Sequence, residues 1–90
     1  MFFLIAYDID DDKRRKKVAS ILEGYGIRVN FSVFEVELNK TQLKELVREL
    51  KSVSKRRDNI RFYHICKSCV EKSFLLHSNG GVFCGFDGFV

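Results

Sequence analysis

Seven consecutive apolar residues, Met1 to Tyr7, stop abruptly at Asp8, and further acids stand at Asp10, Asp11 and Asp12. The run is far shorter than the ~20 residues that cross a bilayer. With acids behind it and no Lys or Arg ahead of it, it does not read as a secretory signal. Its aromatic and branched members read instead as a strand over residues 2–9, buried in the middle of a sheet. Such a strand needs neighbours on both sides and a cover on at least one face.

The rest of the chain supplies them in alternation. Asp10, Asp11 and Asp12 sit where carboxylates cap the free N–H groups of a helix. Val18, Ile21, Leu22 and Tyr25 then recur at spacings of three and four, one apolar stripe behind the solvated start Lys13 to Lys17. Gly24 and Gly26 read as the stop. Arg28 to Leu38 alternates but changes parity, so a bent strand or two short ones are expected, with the break near Phe34–Glu35. Thr41 to Val53 is a second amphipathic helix, with Leu43, Leu46, Val47, Leu50 and Val53 on one face. Asn59 to Cys66 alternates again, placing Ile60, Phe62, His64 and Cys66 on one side. Strand, helix, bent strand or strand pair, helix, strand is the order of a ferredoxin-like βαββαβ unit, an α+β sandwich with its helices on one face.

Ninety residues make one domain. It is expected over 1–78, with a Gly- and Phe-rich tail over 79–90 as a C-terminal edge strand. The apolar tail residues Val82 to Phe86 need a cover, and a sheet, including that of a second copy, would provide one. Three cysteines, Cys66, Cys69 and Cys84, are an odd number for a disulfide framework and suit the reduced thiols of a cytoplasm. His64, Cys66, Cys69, His77 and Cys84 do not follow a familiar zinc-finger spacing, so these thiols are expected to be buried or inert.

Two features carry chemistry. Asp8 closes the first strand with Asp10 two residues on. Hard divalent ions such as Mg²⁺ take oxygen ligands from one or two carboxylates and keep several waters. Capping and metal binding are both compatible with these acids. A single chain offers few convergent carboxylates, and a twofold-related copy would double them. Beside the acids lies the run Lys13, Arg14, Arg15, Lys16 and Lys17, within a net charge of +4. A metal-holding carboxylate beside cations that grip the backbone is what phosphodiester hydrolysis requires. The same run also reads as a solvated helix face.

Taken in order, YDI at 7–9, the DDKRR-type helix start, GYG with a hydrophobic residue and Arg at 24–28, SVFE at 32–35 and KTQL at 40–43 resemble the CRISPR-associated protein 2 family. The likeness runs from Phe3 to about Cys69. It implies a ferredoxin-like homodimer whose last strand completes the partner's sheet, in a prokaryotic cytoplasm and without a membrane. It implies a metal-dependent endonuclease acting on RNA or double-stranded DNA, with Asp8 as the Mg²⁺ ligand across the twofold. Arg15, Arg28, Ser32 and Phe34 match positions implicated in activity or dimer geometry, and Lys17 stands at a further basic position. It implies equally a nuclease-silent adaptor in spacer acquisition, which bridges copies of the CRISPR-associated protein 1 integrase. In that role Lys13 to Lys17, Arg28, and Lys55, Arg56 and Arg57 hold duplex phosphates.

Overall fold

The opening run forms β1 (Phe2–Asp8), followed by α1 (Asp12–Glu23), β2 (Gly26–Asn30), β3 (Val33–Glu37), α2 (Lys40–Val53), β4 (Asn59–Ile65) and α3 (Lys67–Lys72) in a computed structural model that describes residues 1–77. The four strands make one antiparallel sheet in the order β2-β3-β1-β4. β1 is therefore an inner strand, as the sequence demands. This is the α+β ferredoxin-like sandwich. The tail over 79–90, its docking on a partner and Cys84 lie outside the described residues.

Register divides β1 cleanly. Phe3, Ile5 and Tyr7 face α1 and α2 and are buried with Phe34 and Val36 of β3. Val18, Ala19 and Leu22 of α1 and Leu46 and Leu50 of α2 close over them. Ile60 and Phe62 of β4 join from the side, and His64 lies 5.1 Å from the Phe3 ring. Phe34 is fully buried at the centre, so its truncation to Ala would cost about 3–5 kcal/mol. The alternate positions Phe2, Leu4, Ala6 and Asp8 point to the opposite face. There the cross-strand neighbours are Val33, Glu35 and Glu37 on β3 and Asn59, Arg61, Tyr63 and Ile65 on β4.

Both long helices begin as their sequences dictate. The Asp11 side chain caps α1 by accepting the Arg14 N–H at 2.9 Å. That hydrogen bond holds the Asp11 carboxyl below its ordinary range. Asn39 and Gln42 form a reciprocal capping box on α2, with bonds of 2.8 and 2.9 Å.

Two sequence expectations need correction, and one is refined. The parity break falls at Phe31–Ser32, a turn between β2 and β3, and not at Phe34–Glu35. Both faces of β3 are covered, Glu35 included, so apolar alternation does not mark its start. Gly24 caps the C-terminus of α1 as the sequence indicates, at an ordinary helical φ of −76°, and it is Gly26 whose missing side chain the packing requires. A Cβ there would lie 2.3 Å from the Glu35 carbonyl oxygen on the neighbouring strand. Finally, Cys66 and Cys69 are exposed rather than buried, because residues 67–72 form a short helix that aperiodic apolar spacing did not announce.

Candidate nucleic-acid interface and metal centre

The end of β1 is where four elements converge. Asp8 is exposed, stands opposite Asn59 at the start of β4, and forms no ion pair among the described residues. One residue before it, the Tyr7 N–H donates to the Ser32 carbonyl (3.0 Å) and the Tyr7 hydroxyl donates to the Phe31 carbonyl (3.1 Å). One residue after it, Arg15 donates from Nη1 to the Ile9 carbonyl at 2.9 Å while also pairing with Asp12. The carboxylate thus projects from a backbone held on both sides.

Among the described residues no three His, Cys, Asp or Glu side chains converge as a metal cage. A lone carboxylate at a fixed strand end is nonetheless a donor of the right chemistry for Mg²⁺, which is usually bound through one or two carboxylates and retained waters.

The structure sorts the basic residues. Lys13, Lys16 and Lys17 are exposed on α1. Arg14 is turned inward, donating from Nε and Nη2 to the two carboxylate oxygens of Asp58 at 2.8 and 3.1 Å. Asp58 also accepts the Lys55 N–H at 2.9 Å. Its partnership with the Arg14 guanidinium holds the Asp58 carboxyl well below the usual carboxylate range. The consequence for Arg14 is that its fork is committed to Asp58 and not presented to phosphate. The consequence for the surface is larger. This pair fastens the 55–58 turn to the start of α1, so Lys55, Arg56 and Arg57, all exposed, join Lys13, Lys16 and Lys17 in one basic region.

Arg28, Tyr7 and Phe34 form a second group on the helix side of the sheet. The Arg28 guanidinium lies 5.3 Å from the Phe34 ring centre and reaches Glu23 at 3.8 Å. Tyr7 stacks on Phe34 with ring centres 6.3 Å apart. Burial pushes the Tyr7 phenol up, against the lowering effect of Arg28. Phe34 has no exposed surface and meets no substrate in this chain; it seats Tyr7 and Arg28. Ser32 enters the arrangement through its carbonyl oxygen at the hairpin tip.

Two features were not singled out in the sequence. Ala6, Tyr7, Asp8, Asn59, Arg61 and Tyr63 line a hollow of about 220 Å³ beside the candidate metal ligand. Strand alternation alone could have put Asn59, Arg61 and Tyr63 on one face, but the register that sets them beside Asp8 is a tertiary fact. Glu35 is buried on the same face, and desolvation pushes its carboxyl up to about 7.

The family profile of the CRISPR associated protein Cas2 matches residues 1–73. A CRISPR-associated endoribonuclease Cas2 of Synechocystis sp. is 52% identical over 62 residues, covering 68% of this chain and 67% of the relative. The crystal structure of Streptococcus pyogenes Cas2 superimposes with a TM-score of 0.74 at 29% identity, over 84% of this chain and 99% of that one. A chain of a partial Cas6-RT-Cas1–Cas2 complex superimposes with a TM-score of 0.64 at 36% identity, covering 83% and 89%. With the fold, the matched profile and these likenesses in agreement, the chain belongs to the Cas2 family of CRISPR-associated proteins.

Proposed function

We propose that this protein is a Mg²⁺-dependent endonuclease of the spacer-acquisition machinery, cleaving phosphodiester bonds of RNA or DNA at a centre where two Asp8 carboxylates meet across the twofold of a homodimer. The observation that carries this reading is the exposed Asp8 carboxylate, without an ion pair among the described residues, on a backbone braced from both sides. The name endoribonuclease borne by the Synechocystis relative supports the reaction class.

When bound, the cation would stabilise the charge that develops on the phosphate and lower the pKa of an attacking water. The chain's own residues do the rest. Asp8 supplies the hard oxygen ligand. Arg15 holds the Ile9 carbonyl and so fixes the direction in which Asp8 points. Arg28, kept over Phe34, presents a cation to substrate phosphate, and Ser32 anchors the hairpin tip beside Tyr7.

A second reading is favoured by the merging of Lys13, Lys16 and Lys17 with Lys55, Arg56 and Arg57. A broad cationic surface without groups to read base edges grips the backbone of a duplex irrespective of sequence. In that role the dimer is a structural spacer between copies of the CRISPR-associated protein 1 integrase. The likeness to a chain of the Cas6-RT-Cas1–Cas2 complex supports such an assembly.

The test compares wild type with Asp8→Ala, both confirmed folded by circular dichroism, on single-stranded RNA and duplex DNA with and without Mg²⁺. Metal-dependent cleavage lost in the variant is the expected result. No cleavage by either protein would overturn the enzyme reading and leave the adaptor. Sedimentation as a monomer at micromolar concentration would remove the shared-metal arrangement.

A further inference from the structure

At the end of the sheet opposite to Asp8, two thiols meet that the site described above does not use. Asp8 pairs with Asn59 at the start of β4, whereas Ile65 at its end pairs with Phe2. Cys66 follows at once as the N-cap of α3, and Cys69 is the third residue of that helix. In the first turn of a helix the side chains at these two positions face each other, the relation that Asn39 and Gln42 use in the capping box of α2. On α3 no side chain caps the turn, and the facing pair is sulfur to sulfur. The Sγ atoms lie 3.3 Å apart, and both residues are exposed.

The turn that carries them is fastened independently of the sulfurs. Val70 is fully buried, and its N–H donates to the Cys66 carbonyl at 3.0 Å. The Ser73 hydroxyl donates to the Cys69 carbonyl at 2.7 Å. The backbone thus holds both cysteines in place, while rotation of their exposed side chains brings sulfur to sulfur. The two thiols are also unlike. The Ser68 hydroxyl, 3.2 Å from Cys66 Sγ, and then Cys69 draw the Cys66 thiol down to about 7, and the same contact with Cys66 pushes the Cys69 thiol up. Cys66 is therefore the nucleophile at neutral pH, and Cys69 the thiol that follows it.

We propose that Cys66 and Cys69 form a redox-active dithiol, which a low-molecular-weight disulfide such as oxidised glutathione converts to an intramolecular disulfide and reduced glutathione restores. The Cys66 thiolate attacks one sulfur of the oxidant, forming a mixed disulfide and expelling one glutathione thiolate. Cys69, its proton lost to solvent, then attacks the Cys66 sulfur, closing the protein disulfide and expelling the second glutathione thiolate. The protein gives up two electrons and two protons, and the oxidant leaves as two thiols. In reducing surroundings such a bond is transient, and an accessible low-pKa thiol beside a resolving cysteine is the form that redox sensing takes. The pair is separated from Asp8 by the seven residues of β4, about 20 Å, so the proposal stands apart from the nuclease reading.

The experiment uses the full-length chain as wild type, as Cys84→Ser, and as Cys84→Ser combined with Cys66→Ser or with Cys69→Ser, each confirmed folded by circular dichroism. Reduced protein, freed of reductant without air, is mixed at neutral pH with excess oxidised glutathione. Samples are quenched with acid at intervals, alkylated, and read by intact mass and peptide mapping. Cys84→Ser is expected to lose both remaining thiols and retain no glutathione, with the bond mapped to Cys66 and Cys69 and reversed by excess reduced glutathione. With Cys69→Ser added, glutathione is expected to stay on Cys66. With Cys66→Ser added, the reaction is expected to be about fivefold slower. The folded Cys84→Ser protein is also expected to close its disulfide about fivefold faster than the same chain in urea, where the Cys66 thiol returns to its ordinary range. Thiols that stay free at both positions, a stable glutathione adduct on Cys84→Ser without ring closure, or closure no faster than in urea would each overturn the proposal.

Discussion

Arg14 and Asp58, 44 residues apart in the chain, are joined by two parallel hydrogen bonds of 2.8 and 3.1 Å, and the Asp58 side chain is only 3% exposed. Removing either partner leaves a half-buried charge with weaker company, Arg14 with Asp11 at 3.6 Å and Asp58 with the Lys55 N–H. Arg14→Ala and Asp58→Ala are each expected to lower the melting temperature, and the double variant by less than the sum of the two. The pair also sets an acid limit. Its contribution is complete above the ordinary Asp value of 3.8 and is lost as pH falls through the lowered native value. Melting curves between pH 2 and 6 check this, with Asp58→Ala showing the flatter profile.

Salt dependence distinguishes the arginine that faces inward from the lysines that face outward. Replacing Lys13, Lys16 and Lys17 by Ala is expected to lower the slope of log K against log salt on duplex DNA by about 0.9 for each phosphate no longer neutralised. Arg14→Ala, in protein that remains folded, is expected to leave the slope unchanged. Titration of binding at several salt concentrations reads both.

Glu35 works in the opposite sense to Asp58. Its native pKa of about 7 lies above the ordinary 4.5, so the folded protein binds more protons than the unfolded chain between those values. Stability therefore falls as pH rises from about 4.5 to 7 and levels off above. Glu35→Gln is expected to flatten this decline and to gain roughly 1–2 kcal/mol at pH 8, solvent screening being allowed for. Urea denaturation at fixed protein concentration across that range measures it.

The two glycines that bracket Tyr25 are predicted to behave differently. Gly26→Ala places a methyl 2.3 Å from backbone and side-chain atoms of β3 and is expected to cost about 1–3 kcal/mol. Gly24→Ala meets only the Ile21 carbonyl, at 3.3 Å and with a helical φ, and is expected to change stability by less than about 1 kcal/mol. Denaturant midpoints of the two variants suffice.

Local grammar made most of the fold legible. The caps at Asp11 and Asn39, the stripe through Val18 and Leu22, and the leucines of α2 all act within a few residues of themselves, and periodicity reports such interactions. The turn at Phe31–Ser32 escaped because, beside the local bond from the Phe31 N–H to Asn30 Oδ1, two of its ties, from the Tyr7 N–H and hydroxyl, come from another strand. The same limit applies to the site. Asp8 and the Lys13–Lys17 run are neighbours in sequence and could be read together. The inward turn of Arg14, the recruitment of residues 55–57 and the placing of Arg61 beside Asp8 all depend on register and on pairings more than 40 residues apart. Cys66 and Cys69 show the same dependence. Only the short helix reveals two exposed thiols whose sulfurs lie 3.3 Å apart, with the hydrogen bonding between Cys66 and both Ser68 and Cys69 drawing the Cys66 thiol down to about 7.

The carboxylate at the end of β1 rides on one of the two inner strands, each paired along most of its length on both sides, whereas β2 and β4 form the borders of the sheet. Partial opening of a protein begins at its borders and reaches such a strand last. A molecule that has transiently released β2 would still hold Asp8 where the folded one does. Fraying of the rim and loss of the centre are thus separate events, and the position of Asp8 can outlast the first of them.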